Sequence, residues 1–199
     1  MHGMAMMTSA IALKEWAVVV AAMARGQQCL LLRKGGIADP EQTFQVEHRE
    51  FFLFPTLEHQ HREQVRAEYQ ALFDETAARA TADGRITLPL YAGVAGSWRV
   101  TSAEALRELE ALHIWTPEFF AMRLAYKPEI PTLAVLLRAY RLPHPPAIPN
   151  LPDYAGCKSW VPLAAPQPIE GAEPVIENRR FRTLLEQASA RLDRPAKSR

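Results

Sequence analysis

The sequence predicts an α+β protein: a small mixed β-sheet or partly open β-barrel with flanking helices and a C-terminal helix. Three observations carry this. Short aliphatic runs, such as 28–33 and 133–142, are bounded by glycine or proline, as buried strands are. The stretch 57–82 instead places Val65, Tyr69, Leu72, Phe73 and Thr76 at helical period. Hydrophobic residues make up 48% of 199 positions and charged residues 23%, enough apolar material for a real core.

In chain order, Leu13, Trp16, Ala17, Val20, Met23 and Ala24 fall at helical spacing up to Gly26, which predicts a helix over 13–25. Val18 to Val20 pull that segment toward strand by propensity. Residues 28–33 predict a buried strand, and 44–54 a second one ended by Pro55. The 57–82 stripe predicts an amphipathic helix stopped at Asp83-Gly84. Pro89, Gly93 and Gly96 within 86–100 suggest one or two strands with a bend or bulge.

Thr101-Ser102 followed by Glu104 reads as a helix start. Thr116-Pro117-Glu118 is a cleaner one: a capping hydroxyl, proline at the first helical position, then an acid near the positive helix end. Residues 133–142 and 157–163 predict further strands, separated by a proline-rich connector. The expected organisation is one domain over 11–163, a proline-rich linker over 164–175, and a basic helix and tail over 176–199. That linker is expected to hold the tail away as a semi-rigid spacer. From Arg179 onward the tail has seven basic residues and two acidic ones.

The totals exclude several classes. A net charge of +1 neither demands nor forbids a nucleic-acid partner. Two distant cysteines, Cys29 and Cys157, indicate neither a disulfide framework nor a Cys-rich zinc site. The longest apolar run, 16–24, is too short to span a membrane, which takes roughly 20 residues. A cytoplasmic setting and no membrane partner are expected.

Several segments resemble a bacterial family, domain of unknown function 1802. They are 12–19 (ALKEWAVV), 31–37 (LLRKGGI), 46–51 (VEHREF), 53–56 (LFPT), His59-Gln60, 113–116 (HIWT) and 156–161 (GCKSWV). The resemblance covers about 12–163 and leaves the C-terminal helix outside. It implies no settled activity and leaves the cofactor unknown; association with restriction-endonuclease-like domains in the family implies a link to nucleic-acid handling or defence. A looser fold-level likeness, to PUA and ASCH barrels, rests on a helix, a glycine and a strand ending in Leu-Arg.

The residues that could carry chemistry lie at the ends of predicted elements. Arg33 and Lys34 precede Gly35-Gly36, an arrangement suited to an anion or simply to a charged turn. Strand alternation would place His48 and Glu50 on one face, as metal ligands or an acid–base pair, and Glu47 and Arg49 on the other, as an ion pair. His59, Gln60 and His61 read as exposed helix-start residues or as a metal pair. Trp115 either stacks on a base or packs back onto the helix it precedes. Arg123 and Lys127 share a helix face. Lys158 and Trp160 would share a strand face, with Ser159 opposite, as in single-strand binding platforms or ordinary edge strands.

These residues, from Lys14 to Lys158, are expected to gather in one cleft. The leading function is a nucleic-acid- or nucleotide-binding module. The alternatives are a metal-dependent nuclease or hydrolase, and an adaptor docking a protein partner through the C-terminal helix. No catalytic motif is recognisable; Cys29 reads as core, and Cys157 as a nucleophile with no evident base.

Overall fold

A computed structural model describes residues 7–34, 45–79, 84–100 and 102–193. Its order is β1 (Thr8–Trp16), α1 (Ala17–Ala24), β2 (Leu30–Arg33), β3 (Glu50–Thr56), α2 (Gln70–Arg79), β4 (Arg85–Thr87), β5 (Leu90–Val100), α3 (Ala103–Arg107), α4 (Pro117–Ala125), β6 (Thr132–Arg141), β7 (Ala147–Pro149), β8 (Trp160–Pro168), β9 (Glu173–Pro174) and α5 (Asn178–Leu192). Seven strands form one mixed sheet in the order β2-β6-β5-β3-β1-β8. The seventh, β9, pairs with β6 at Tyr140 and Arg141, beyond the Leu133–Leu136 stretch that holds β2. β4 and β7 make a separate pair. The α+β class with flanking helices therefore holds, and among the described residues the sheet stays open instead of closing into a barrel.

The middle of the sheet is buried on both faces. Along β3, Phe51 and Leu53 point into the larger core, with α1, α4 and α5; Phe52 and Phe54 point into a smaller core with Leu88, Tyr154 and Val161. That is the strand period of two acting on an uninterrupted apolar run.

Four expectations are corrected. The 13–25 helix begins only at Ala17, because residues up to Trp16 form β1, paired with β3 in parallel and with β8 in antiparallel. A central strand covered on both faces shows no alternation, so its apolar spacing passed for a helix. Val18 to Val20 nevertheless stay helical: α1 is almost wholly buried, and a helix satisfies its own backbone groups there. It ends at Gly26, at φ 70°, whose N–H donates to Met23 O at 3.0 Å.

The 44–54 strand starts at Glu50, so 45–49 do not alternate and His48 and Glu50 share no strand face. Nor does Pro55 end it. On its β1 side Pro55 is paired with Glu15; on the other side β5 pairs only as far as Phe52, so no ladder bond there asks for an N–H from Pro55.

In place of a helix throughout 57–82, two short 3-10 turns precede α2. Val65 is instead held extended, bridged to Trp115, with Arg66 N–H donating to Ile114 O and Thr116 N–H to Gln64 O. Finally, residues 164–175 are not a free spacer. β8 runs to Pro168, β9 joins β6, and α5 lies on the core through Phe181, Ala188 and Leu192. The prolines at 162, 166 and 168 fall on an edge strand, where a missing donor costs nothing.

Other expectations fall into place. β5 has a bulge between Val94 and Gly96. Ser102 caps α3 through Glu104 N–H, and Thr116 caps α4 through Phe119 N–H with Pro117 at its first turn.

A candidate anion cleft

A cavity of about 340 Å³ opens where five segments meet: the end of β1 (Lys14 to Trp16), the end of β2 with Lys34, the stretch after β3 (Thr56 to Gln64), Trp115 with α4, and the loop 156–159. The meeting depends on Arg33. It sits on β2, at one end of the strand order, yet donates to Lys14 O on β1 at 3.1 Å and to Ser159 Oγ, beside β8, at 2.8 Å. Its guanidinium also pairs with Glu15 Oε2 at 3.3 Å. Side chains thus tie the two ends of the sheet together around the cavity.

The three fully buried charges in the wall, Lys14, Glu15 and Lys34, are all partnered. Lys14 donates to Gly156 O at 2.8 Å and pairs with Glu58 at 3.2 Å. Lys34 is only 3% exposed, and it donates to Arg123 O and Leu124 O, carbonyls that the last turn of α4 leaves open. Burial first, then the neighbouring Arg123, pushes the Lys34 pKa down, while Glu129 opposes this. Glu15 accepts from Trp16 N–H at 2.7 Å as well as from Arg33. Five cations (Lys14, Arg33, Lys34, Arg123, Lys158) face two carboxylates (Glu15, Glu58), an excess of three positive charges with histidines neutral.

Two donors in this wall are left over. Arg123 Nε and Trp115 Nε1 are out of contact with water and have no hydrogen-bond partner among the described residues. Burial, and then Arg33 alongside, destabilises the charged Arg123 and lowers its pKa below the ordinary arginine value; Glu15 pulls the other way. The aromatic side of the cavity is Trp16, half-buried, edge-on to Trp115 at 5.0 Å, with Trp115 stacked on Phe119 at 4.4 Å. Trp115 is thus the packing residue ahead of the α4 cap, and the ring with exposed area is Trp16.

His59 adopts a left-handed φ of 58°, and its Nε2 lies 3.3 Å from Cys157 Sγ. Below the wall, His113 is buried. Its Nδ1 accepts from Trp115 N–H at 3.3 Å and its Nε2 bonds Leu106 O at 3.1 Å. Burial lowers its pKa to about 4, against a smaller raising effect of the Leu106 carbonyl.

The cavity gathers Lys14, Arg33, Lys34, His59, Trp115, Arg123, Lys158 and Ser159 from the expected set. It leaves out His48, Arg49, Gln60, Lys127 and Trp160. His48 lies edge-on to Trp160 at 5.0 Å, and Trp160 donates to Gln45 O. Trp160 and Lys158 do not share a strand face, because β8 begins only at Trp160. Lys127, at φ 45°, follows the end of α4 and places its ammonium over Tyr126. Gly35 and Gly36, expected to help hold an anion, lie outside the described residues. Glu50 accepts from Tyr91 at 3.1 Å, and no group of three or more His, Cys, Asp or Glu placed to hold a metal occurs among the described residues.

Sequence reasoning missed Glu15, Trp16, Glu58 and the Cys157–His59 pair. Glu15, Trp16 and Cys157 lie inside quoted family-like segments, which was the available signal; the partners of each become visible only in three dimensions.

The family described as Domain of unknown function (DUF1802) matches residues 12–187, from β1 into α5. No curated protein and no solved structure matches the chain.

Proposed function

This chain belongs to the DUF1802 family, and from that premise and the cleft we propose that it binds a phosphorylated ligand carrying a flat ring: a nucleotide, or the end of a nucleic-acid strand. The observation that carries this reading is one cavity with three excess positive charges in its wall, among them Arg123, whose Nε has no hydrogen-bond partner among the described residues. A buried donor without an acceptor costs about 1–3 kcal/mol. A phosphate would accept from Arg123 with a charge-assisted bond and relieve the repulsion between Arg123 and Arg33. Trp16, half-buried in the aromatic side of the cavity, is the ring against which a base would pack. The link to restriction or defence rests on the family resemblance and belongs to this proposal as its biological setting.

Calorimetric titration with a nucleoside 5′-monophosphate, the matching nucleoside and inorganic phosphate tests the reading. The monophosphate should bind, and the nucleoside should bind at least tenfold more weakly. Arg123→Gln should weaken the monophosphate by tenfold or more, about 1.4 kcal/mol. Equal affinity for nucleoside and nucleotide, or no binding of either, would sink the proposal. A short single-stranded oligonucleotide binding far more tightly than the mononucleotide would favour the strand-end form.

A further inference from the structure

We propose that Cys157 and His59 make the cleft a catalytic site that hydrolyses a phosphate monoester through a covalent cysteinyl-phosphate. This rests on the phosphate-binding reading above. Cys157 is a free thiol, exposed, and lines the same cavity as the five cations. His59 Nε2 stands 3.3 Å from its sulfur, the separation of a nucleophile from its base before substrate arrives. The loop is fixed from behind, where Lys14 Nζ holds Gly156 O at 2.8 Å and Arg33 holds Ser159 Oγ at 2.8 Å. Independently of the thiol, the excess of positive charge in the wall calls for an anionic ligand, and Arg123, whose Nε has no partner among the described residues, is one of the cations that would meet it.

A phosphate held by these cations would lie beside Cys157. His59 Nε2 takes the thiol proton, and Sγ attacks phosphorus. The S–P bond forms as the P–O bond to the leaving alcohol breaks on the opposite side, and the leaving oxygen takes a proton from water. Water then attacks phosphorus from the vacated side and loses a proton to solvent, the S–P bond breaks, and the protonated His59 returns its proton to Sγ, giving inorganic phosphate and restoring the thiol. The cations offset the charge on the equatorial oxygens, and no oxidant or reductant enters.

p-Nitrophenyl phosphate, whose leaving group needs no recognition, is the probe, with the full chain under reducing conditions. Expected are p-nitrophenol release and a phosphoryl adduct on the Cys157 peptide after acid quench. Cys157→Ser and His59→Asn should each lose at least a hundredfold in turnover, within the usual range of about 10²–10⁴ for a general base. Asparagine is chosen because it tolerates left-handed φ. Both variants should still bind the monophosphate.

Alkylation of wild-type Cys157 by iodoacetamide gives a second readout. Inorganic phosphate should protect the thiol, and His59→Asn should slow the reaction at least tenfold. Binding of the monophosphate without turnover overturns the catalytic proposal alone. So does turnover that survives Cys157→Ser. Failure to bind any phosphate removes both proposals.

Discussion

The cleft and helix α5 are both basic, but they hold their charges differently. The cleft draws its five cations from four parts of the chain, and packing leaves most of them little water. Along α5, Arg179, Arg180, Arg182 and Arg191 come from one helical run and are all exposed. Arg191 pairs with Glu108 at 2.9 Å, with both side chains 42% exposed. Water hydrates the α5 charges whatever else is present, so they ask for nothing. Arg123, cut off from water at Nε and set beside Arg33, does ask for an acceptor. Local charge density in a sequence therefore points to the tail, while desolvation points to the cleft.

If α5 is a packing element, removing its anchor should unfold the protein more than it disturbs ligand binding. Phe181 lies in the larger core with the Arg138 guanidinium 4.5 Å from its ring centre. Phe181→Ala should cost about 3 kcal/mol of stability in urea denaturation, with monophosphate affinity unchanged in the folded fraction. A loss of affinity at unchanged stability would reverse the roles assigned to the two regions.

The cleft should be the pH-sensitive region, because His113 fixes the backbone of Trp115 in its wall. The folded pKa of His113, about 4, lies below its ordinary 6.5, so the unfolded chain takes up the proton more readily. Its contribution is then fully present above pH 6.5 and is lost as pH falls from there through 4. The loss approaches about 3 kcal/mol. Denaturation of the wild type and His113→Gln at several pH values isolates it: the wild type should fall more steeply between pH 6.5 and 4. Parallel curves would show that His113 is not held neutral.

The smallest effect concerns the exposed pair. A double-mutant cycle on Arg191→Gln and Glu108→Gln should give a coupling under about 1 kcal/mol that shrinks further with salt. A larger, salt-independent coupling would mean that charge on α5 is structurally committed after all.

Much of this was legible in the sequence because it is decided locally. The caps at Ser102 and Thr116, the bulge in β5, the buried run 51–54 and the apolar stripe of α5 each follow from a few neighbouring residues. So did eight of the cleft residues, since loops at element ends carry function. The misreadings share one cause. β1 looked helical because both its faces are covered, Pro55 looked terminal because its unpaired side could not be foreseen, and 164–175 looked like a spacer because its partners lie far away in the chain.

Two features are tertiary outright. Cys157 and His59 are separated by 98 positions and Arg33 and Ser159 by 126, and no local pattern encodes either contact. The sequence by itself determined which segments are apolar, where helices start and which cations stand at element ends, because hydrophobic period and capping act within a few residues. Only the tertiary structure decided which cations lose their water, which donors are left without acceptors and which thiol meets an imidazole. Desolvation and side-chain reach depend on what the rest of the chain packs against each group.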